Sequence, residues 1–215
     1  MATAWSSGVL NKFVAPDLTC FTGAAVPDLS GRFPEAPHWL ANHFLSSVLR
    51  GSFVDGYRQL ALGFIRRAYH AFEAYHAARG HTNGYLENLD TSRPSIRRYY
   101  DAVAAWENFA LQLSMAFDIL VKLNGGEKVF EKNDGSQEQR LHTIANQIKH
   151  LASCVTSGQC GEADSVPLWL TNAGVHSFGV AITYEEAADI MTSIAELADE
   201  LQDPKNFFVA AKDAE

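Results

Sequence analysis

The chain has 215 residues, enough for one domain with a single substantial core and an ordered arm, and too few for two full domains of ordinary size. Hydrophobic residues make up 47% and charged residues 20%, the balance of a folding globular chain rather than a disordered one. With 17 Lys and Arg against 25 Asp and Glu the formal charge is −8, which excludes a surface that is basic all over and leaves room only for a local basic patch.

Cys20, Cys154 and Cys160 cannot all pair within one chain, and none belongs to a CxxC. A zinc knuckle or thioredoxin-type site is therefore not expected, and a reducing compartment is. No apolar stretch of signal-peptide or membrane-spanning length is present, so the expectation is a cytoplasmic protein without a membrane span.

Residues 1–37 hold Pro16, Pro27, Pro34 and Pro37 with Gly8, Gly23 and Gly31, a density that forbids a long helix. They also carry Trp5, Leu10, Phe13, Val14, Leu18, Phe21 and Phe33, too much apolar surface for a solvated tail, so the segment reads as an ordered arm lying on the body or on a partner subunit. Residues 38–204 read as a helical bundle and 205–215 as a tail.

His38 to Leu49 forms a first short helix, closed by Gly51. From Tyr57, the set Tyr57, Leu60, Ala61, Phe64, Ile65, Ala68, Phe72 and Tyr75 steps by three and four, and Gly80 is the expected stop. Ile96, Tyr99, Val103, Trp106, Ala110, Leu113, Phe117 and Leu120 define a third, longer helix between Pro94 and Gly125-Gly126, expected to pack antiparallel to the second. A fourth opens with Ser136 and Gln139 at capping-box spacing, buries Leu141, Ile144, Ile148, Leu151 and Val155, and ends near Gly158. Period two then takes over between Val166 and Ile182, as in a small hairpin or extended crossover. Thr183 and Glu186 cap a last helix that runs to about Gln202, just before Pro204. The fold class is all-α: four to five helices with a hairpin-like excursion before the last.

Residues 50–98 hold eight Lys or Arg against four Asp or Glu, and Arg97 and Arg98 belong to this basic stretch. The most informative stretch is Arg140 to Ser153. At about 100° per residue, His142, Asn146, Lys149, His150 and Ser153 share one sector and the apolar residues lie opposite. Two imidazoles, an amide and an ammonium in one stripe suit phosphate binding or the acid and base of RNA cleavage, although a solvated helix face carries the same residue types.

Asn146-Gln147-Ile148-Lys149-His150, on a helix that follows a long amphipathic helix, resembles the signature of the HEPN superfamily, the higher-eukaryote and prokaryote nucleotide-binding domains. That resemblance implies an all-α bundle, commonly a two-fold homodimer, and in active members a metal-independent ribonuclease of toxin–antitoxin and defence systems. The family motif is an arginine, then a polar residue, then a histidine. Asn146 and His150 match the polar and histidine positions as candidate catalytic residues, but Ala145 stands where the arginine would be. Lys149 and Arg140 carry the nearest charges, and a lysine lacks the forked guanidinium. The expected function is binding of RNA, nucleotide or another anionic ligand through His142, Lys149, Arg97 and Arg98, with ribonuclease activity lost or weak. The rival from another class is a non-catalytic interaction protein that acts by dimerisation or by binding a protein partner.

No cofactor or metal is expected. Glu73 and His76 make one ExxH, but a carboxylate-bridged di-metal site needs a second, and the gaps between His142, His150, Cys154 and Cys160 fit no common zinc module. No GxSxG elbow or nucleotide-binding glycine loop occurs. Trp106, Phe109 and Phe117 are core by spacing. Trp169 is expected to brace the fourth helix.

Overall fold

A computed structural model describes residues 6–50, 56–158 and 166–202. Helices dominate, with one small antiparallel sheet before the last of them. The helices are α1 (Ser7–Phe13), α2 (Trp39–Arg50), α3 (Tyr57–Glu87), α4 (Ile96–Leu123), α5 (Gln137–Lys149), α6 (Leu151–Thr156) and α7 (Tyr184–Glu200). Trp5, Gly51, Cys160, Pro204 and the tail lie outside the described residues.

The antiparallel pair α3–α4 is the frame. Tyr57 at the start of α3 donates its hydroxyl to Leu123 O at the end of α4 (2.9 Å), and Arg98 near the start of α4 donates to Gly84 O near the end of α3 (3.3 Å). Between these ends the seam is aromatic. Tyr75, Trp106 and Phe109 meet edge to face with centroids 5.5–5.9 Å apart, and Trp106 Nε1 donates to the buried Thr82 hydroxyl at 3.0 Å. Rings at such spacings add about 0.5–1.5 kcal/mol per pair beyond their burial.

Gly80 does not end α3, which continues to Glu87. A helical glycine costs about 1 kcal/mol relative to alanine. That is offset here by what lies beyond it: Thr82 holds Trp106, and the Tyr85 ring stacks on Phe21 at 5.6 Å.

The N-terminal segment lies on this frame. Leu10, Val14, Leu18, Phe21 and Phe33 are buried in the same core as the helices. Tyr75 and Tyr100 donate to Pro27 O and Val14 O, and Arg79 pairs with Asp28 at 3.0 Å. Phe13 departs from the apolar expectation at 64% exposed, because the short α1 turns Leu10 inward and Phe13 out.

The helix expected to run from Ser136 to Gly158 is two helices. The backbone breaks at His150 (φ −113°, ψ 24°), and α6 leaves in a new direction, so Val155 is 57% exposed where a continuous helix would bury it. Ser136 accepts from Gln139 N (3.2 Å), but the Gln139 side chain turns to Thr143 rather than completing the capping box.

The period-two stretch forms three strands, β1 (Trp169–Leu170), β2 (Gly174–Ser177) and β3 (Val180–Thr183), paired antiparallel in that order with Val175 opposite both Leu170 and Ile182. Gly174 is obligatory, since a Cβ there would stand 2.1 Å from Ile182 O. At the start of α7, Thr183 and Glu186 form a complete capping box. No helix among the described residues is long and apolar enough to cross a membrane.

Candidate functional site

Arg140 fixes the position of α5. Its guanidinium donates to Gly135 O (3.2 Å), to Ala181 O on β3 (2.7 Å) and to the Glu186 carboxylate, tying α5 to the sheet and to the cap of α7. The same contact holds the Glu186 carboxyl below its ordinary range. A guanidinium engaged on three sides is a structural clamp and is not free to meet a phosphate.

The polar stripe of α5 is divided between two neighbourhoods. His142 and Lys149 turn to α4, where Lys149 Nζ donates to Ser114 Oγ (3.1 Å) and the His142 Nδ1 lies 3.3 Å from the same hydroxyl. The His142 ring also packs on Phe130 at 5.2 Å. Burial pushes the His142 pKa below its ordinary value, Lys149 adds to the effect and Asp118 opposes it. Lys149 thus serves the fully buried Ser114 with one of its donors.

Asn146 and His150 face the other way, into a pocket of about 460 Å³. Thr143, Gln147, Ser153 and Phe178 share its wall. The wall spans the break at His150, with residues from α5 and α6 on one side and Phe178, in the turn between β2 and β3, on the other. Gln147 ties the two walls together, with Nε2 donating to Phe178 O at 2.8 Å. Cys154 also lines the pocket and is disulfide-bonded, which corrects the expectation that the cysteines are thiols, whereas Cys20 is free and exposed.

Ala145 is completely buried in the core beside Leu141 and Ile144. A guanidinium at that position would have to enter the apolar seam. Arg97 and Arg98 are exposed at the start of α4. Neither lines the pocket, and along α4 Arg97 stands about 25 Å from Ser114, the α4 residue that Lys149 and His142 meet.

The remaining candidates are scattered. His76 Nε2 is buried without a hydrogen-bond partner among the described residues, and its ring stands edge-on to Phe72 at 4.4 Å. Burial lowers the His76 pKa, against opposing pulls from Glu73 and Asp28. Burial raises the Glu107 carboxyl. Among the described residues no group of three or more His, Cys, Asp or Glu is placed to hold a metal. Trp169 is half-buried in the sheet, with its ring against His176 and Phe178.

Thr143, Gln147 and Phe178 are the site residues that sequence reasoning missed. The first two sit on the flank of the stripe, and only Gln147, inside the five-residue signature, carried a signal. Phe178 arrives from a strand turn that no helical period foreshadows. No protein-family model matches the chain, and no curated protein or solved structure shows significant similarity to it.

Proposed function

We propose that the protein is a HEPN-like helical domain that binds RNA or nucleotide in the α5–α6 pocket, with ribonuclease activity lost. The observation that carries this reading is the meeting of Asn146 and His150 on one pocket wall while Ala145 is buried and Arg140 is held by Glu186 and Ala181. A ribonuclease of this kind needs a group to handle the 2′-hydroxyl proton and a cation on the developing phosphorane charge. His150 is the candidate for the first, and among the described residues the lining offers no Lys or Arg for the second. Lys149, exposed at the end of α5, is turned to Ser114 on α4 and away from this pocket, so it does not take the arginine's place on the wall.

Metal-free incubation of labelled single-stranded RNA with wild type and His150→Ala tests this. The expected result is no cleavage by either protein, with binding that weakens as salt rises and is reduced in the variant. Cleavage that disappears in His150→Ala would overturn the loss of activity, and no binding by either would overturn the proposal.

A second reading rests on a different observation. Phe13, Phe44 and Leu45 are 64%, 59% and 50% exposed, and Tyr57 and Leu62 lie open at the start of α3. These exposed apolar side chains on α1, α2 and α3 favour a helical interaction protein, including a homodimer. A light-scattering mass of one chain, 23.6 kDa, across micromolar concentrations would remove the homodimer.

A further inference from the structure

Ser114 lies well inside α4 with its side chain fully buried, and two polar side chains of α5 meet its hydroxyl. Lys149 Nζ donates to Oγ at 3.1 Å, and His142 Nδ1 lies 3.3 Å from the same oxygen. An ammonium carries donors only, so the hydroxyl proton of Ser114 cannot be aimed at Lys149. The other atom bonded to this hydroxyl among the described residues is His142 Nδ1, which is therefore the acceptor. That fixes the tautomer. Nδ1 is bare, and the ring proton sits on Nε2.

The three groups form a one-way chain from ammonium to hydroxyl to imidazole. Its last link exists only while the imidazole is neutral, because a protonated ring carries N–H on both nitrogens and accepts nothing. Protonated at Nδ1, the ring aims a second donor and a second positive charge at the oxygen that already holds Lys149. Two like charges across one buried oxygen repel, where water screens them poorly. They are not equally held. The His142 ring is half-buried against Phe130, with centroids 5.2 Å apart, whereas Lys149 is exposed at the end of α5 on a flexible stem. Lys149 is the group that can leave.

The charged groups around the ring come from three elements. Burial is the largest influence and keeps His142 below its ordinary value, while Asp118 on α4 favours the proton and Lys149 on α5 opposes it. Glu138 stands one turn earlier on α5, and Glu131, next to Phe130, is engaged by Lys128 at 2.9 Å.

We propose that Ser114, His142 and Lys149 are an acid-opened latch between α4 and α5: a proton taken from solvent by His142 Nδ1 removes the acceptor of the Ser114 hydroxyl and releases the Lys149 ammonium. At neutral pH Lys149 is tied to the fold. In acid it is offered to an anion beside a newly charged imidazole. None of the three lines the α5–α6 pocket, so the latch goes beyond the reading of that pocket and stands or falls without it.

An NMR titration of the full chain from about pH 8 down to about pH 5, following the ring nitrogens of His142 and the Cε signal of Lys149, tests the latch. Above neutrality the ring should show the Nε2–H tautomer. The Lys149 signal should move with the same midpoint as His142, far below the pH at which an amine itself titrates. Lys149→Met removes the like charge and should raise the His142 midpoint. Ser114→Ala cuts the chain, so Lys149 should lose most of its response to the ring. Each variant is checked for an unchanged thermal melt, and the wild-type titration carries the test where a variant does not fold. An Nδ1–H tautomer above neutrality, a Lys149 signal that stays still while His142 titrates, or a chain that unfolds before the ring takes up its proton would overturn the latch. So would a His142 midpoint that is unchanged or lowered in Lys149→Met.

Discussion

The α3–α4 seam and the α5–sheet corner are both built from aromatic and polar side chains, and they use them oppositely. In the seam the polar atom on a ring is a tether: Trp106 Nε1 holds Thr82, the Tyr75 hydroxyl holds Pro27 O, and Tyr99 accepts from Leu170 N. In the corner, Gln147 Oε1 and Trp169 Nε1 are buried without partners among the described residues, and a pocket opens beside Gln147. A satisfied hydrogen bond fixes one packing arrangement; His76 Nε2 and Tyr85 OH on α3 are also buried without partners among the described residues, so what sets the corner apart is the concave polar wall beside α5, which a ligand can fill.

The seam is the place where breakage should cost most. Trp106→Ala removes a side chain that is 1% exposed and in contact with Tyr75, Phe109 and Tyr184, and it strands the Thr82 hydroxyl. A loss of about 3–5 kcal/mol is expected in urea denaturation. A loss under about 1 kcal/mol would contradict the seam as the centre of the fold.

Arg140→Ala should cost less, about 1–2 kcal/mol, because the Arg140 and Glu186 side chains are 27% and 29% exposed and solvent screens part of the attraction. Its pH dependence is diagnostic. The Glu186 pKa is lowered in the fold from 4.5, so the stability it contributes is complete above that value and is lost as pH falls through the lowered one. The gap between wild type and variant should be full at neutral pH and close in strong acid, as read from denaturation midpoints.

Acid weakens wild type earlier for a separate reason. Burial lowers the pKa values of His43, His76, His142 and His176 from 6.5, so the unfolded chain takes up protons more readily below that pH. Stability should be flat above about pH 6.5 and decline as pH falls below it. A melting temperature unchanged between pH 7.5 and pH 5 would sharpen the comparison against these histidines as buried elements.

The smallest effect on stability is expected in the corner. His150 is exposed and Asn146 half-buried, so each alanine variant should stay within about 0.5 kcal/mol of wild type while RNA binding falls. An equal loss of stability and binding would make the corner a second core.

Legibility in the sequence follows the same division. The steps of Ile96 to Leu120 announce α4 because a helix buried along one face must repeat every three or four residues, and Thr183 with Glu186 announces the cap of α7 because two backbone donors need those two side chains. The break at His150 carries no proline or glycine to mark it, so periodicity runs straight through it to Val155. The sector drawn for His142, Asn146, Lys149 and His150 is sound as helix geometry. It does not say which neighbour each side chain meets, and Ser114 on α4 and Phe178 on the sheet turn decide that. Gly80 misled for the converse reason, since tertiary contacts at Thr82 and Tyr85 outweigh its local cost.

The most direct measurement is an NMR titration of the full chain with a short single-stranded RNA, following the side-chain amide signals of Asn146 and Gln147 together with the guanidinium signals of Arg97 and Arg98. The account predicts saturable shifts at both amides, with the RNA recovered intact and the arginine signals unmoved. Shifts confined to Arg97 and Arg98, which lie outside the pocket wall at the start of α4, would contradict it.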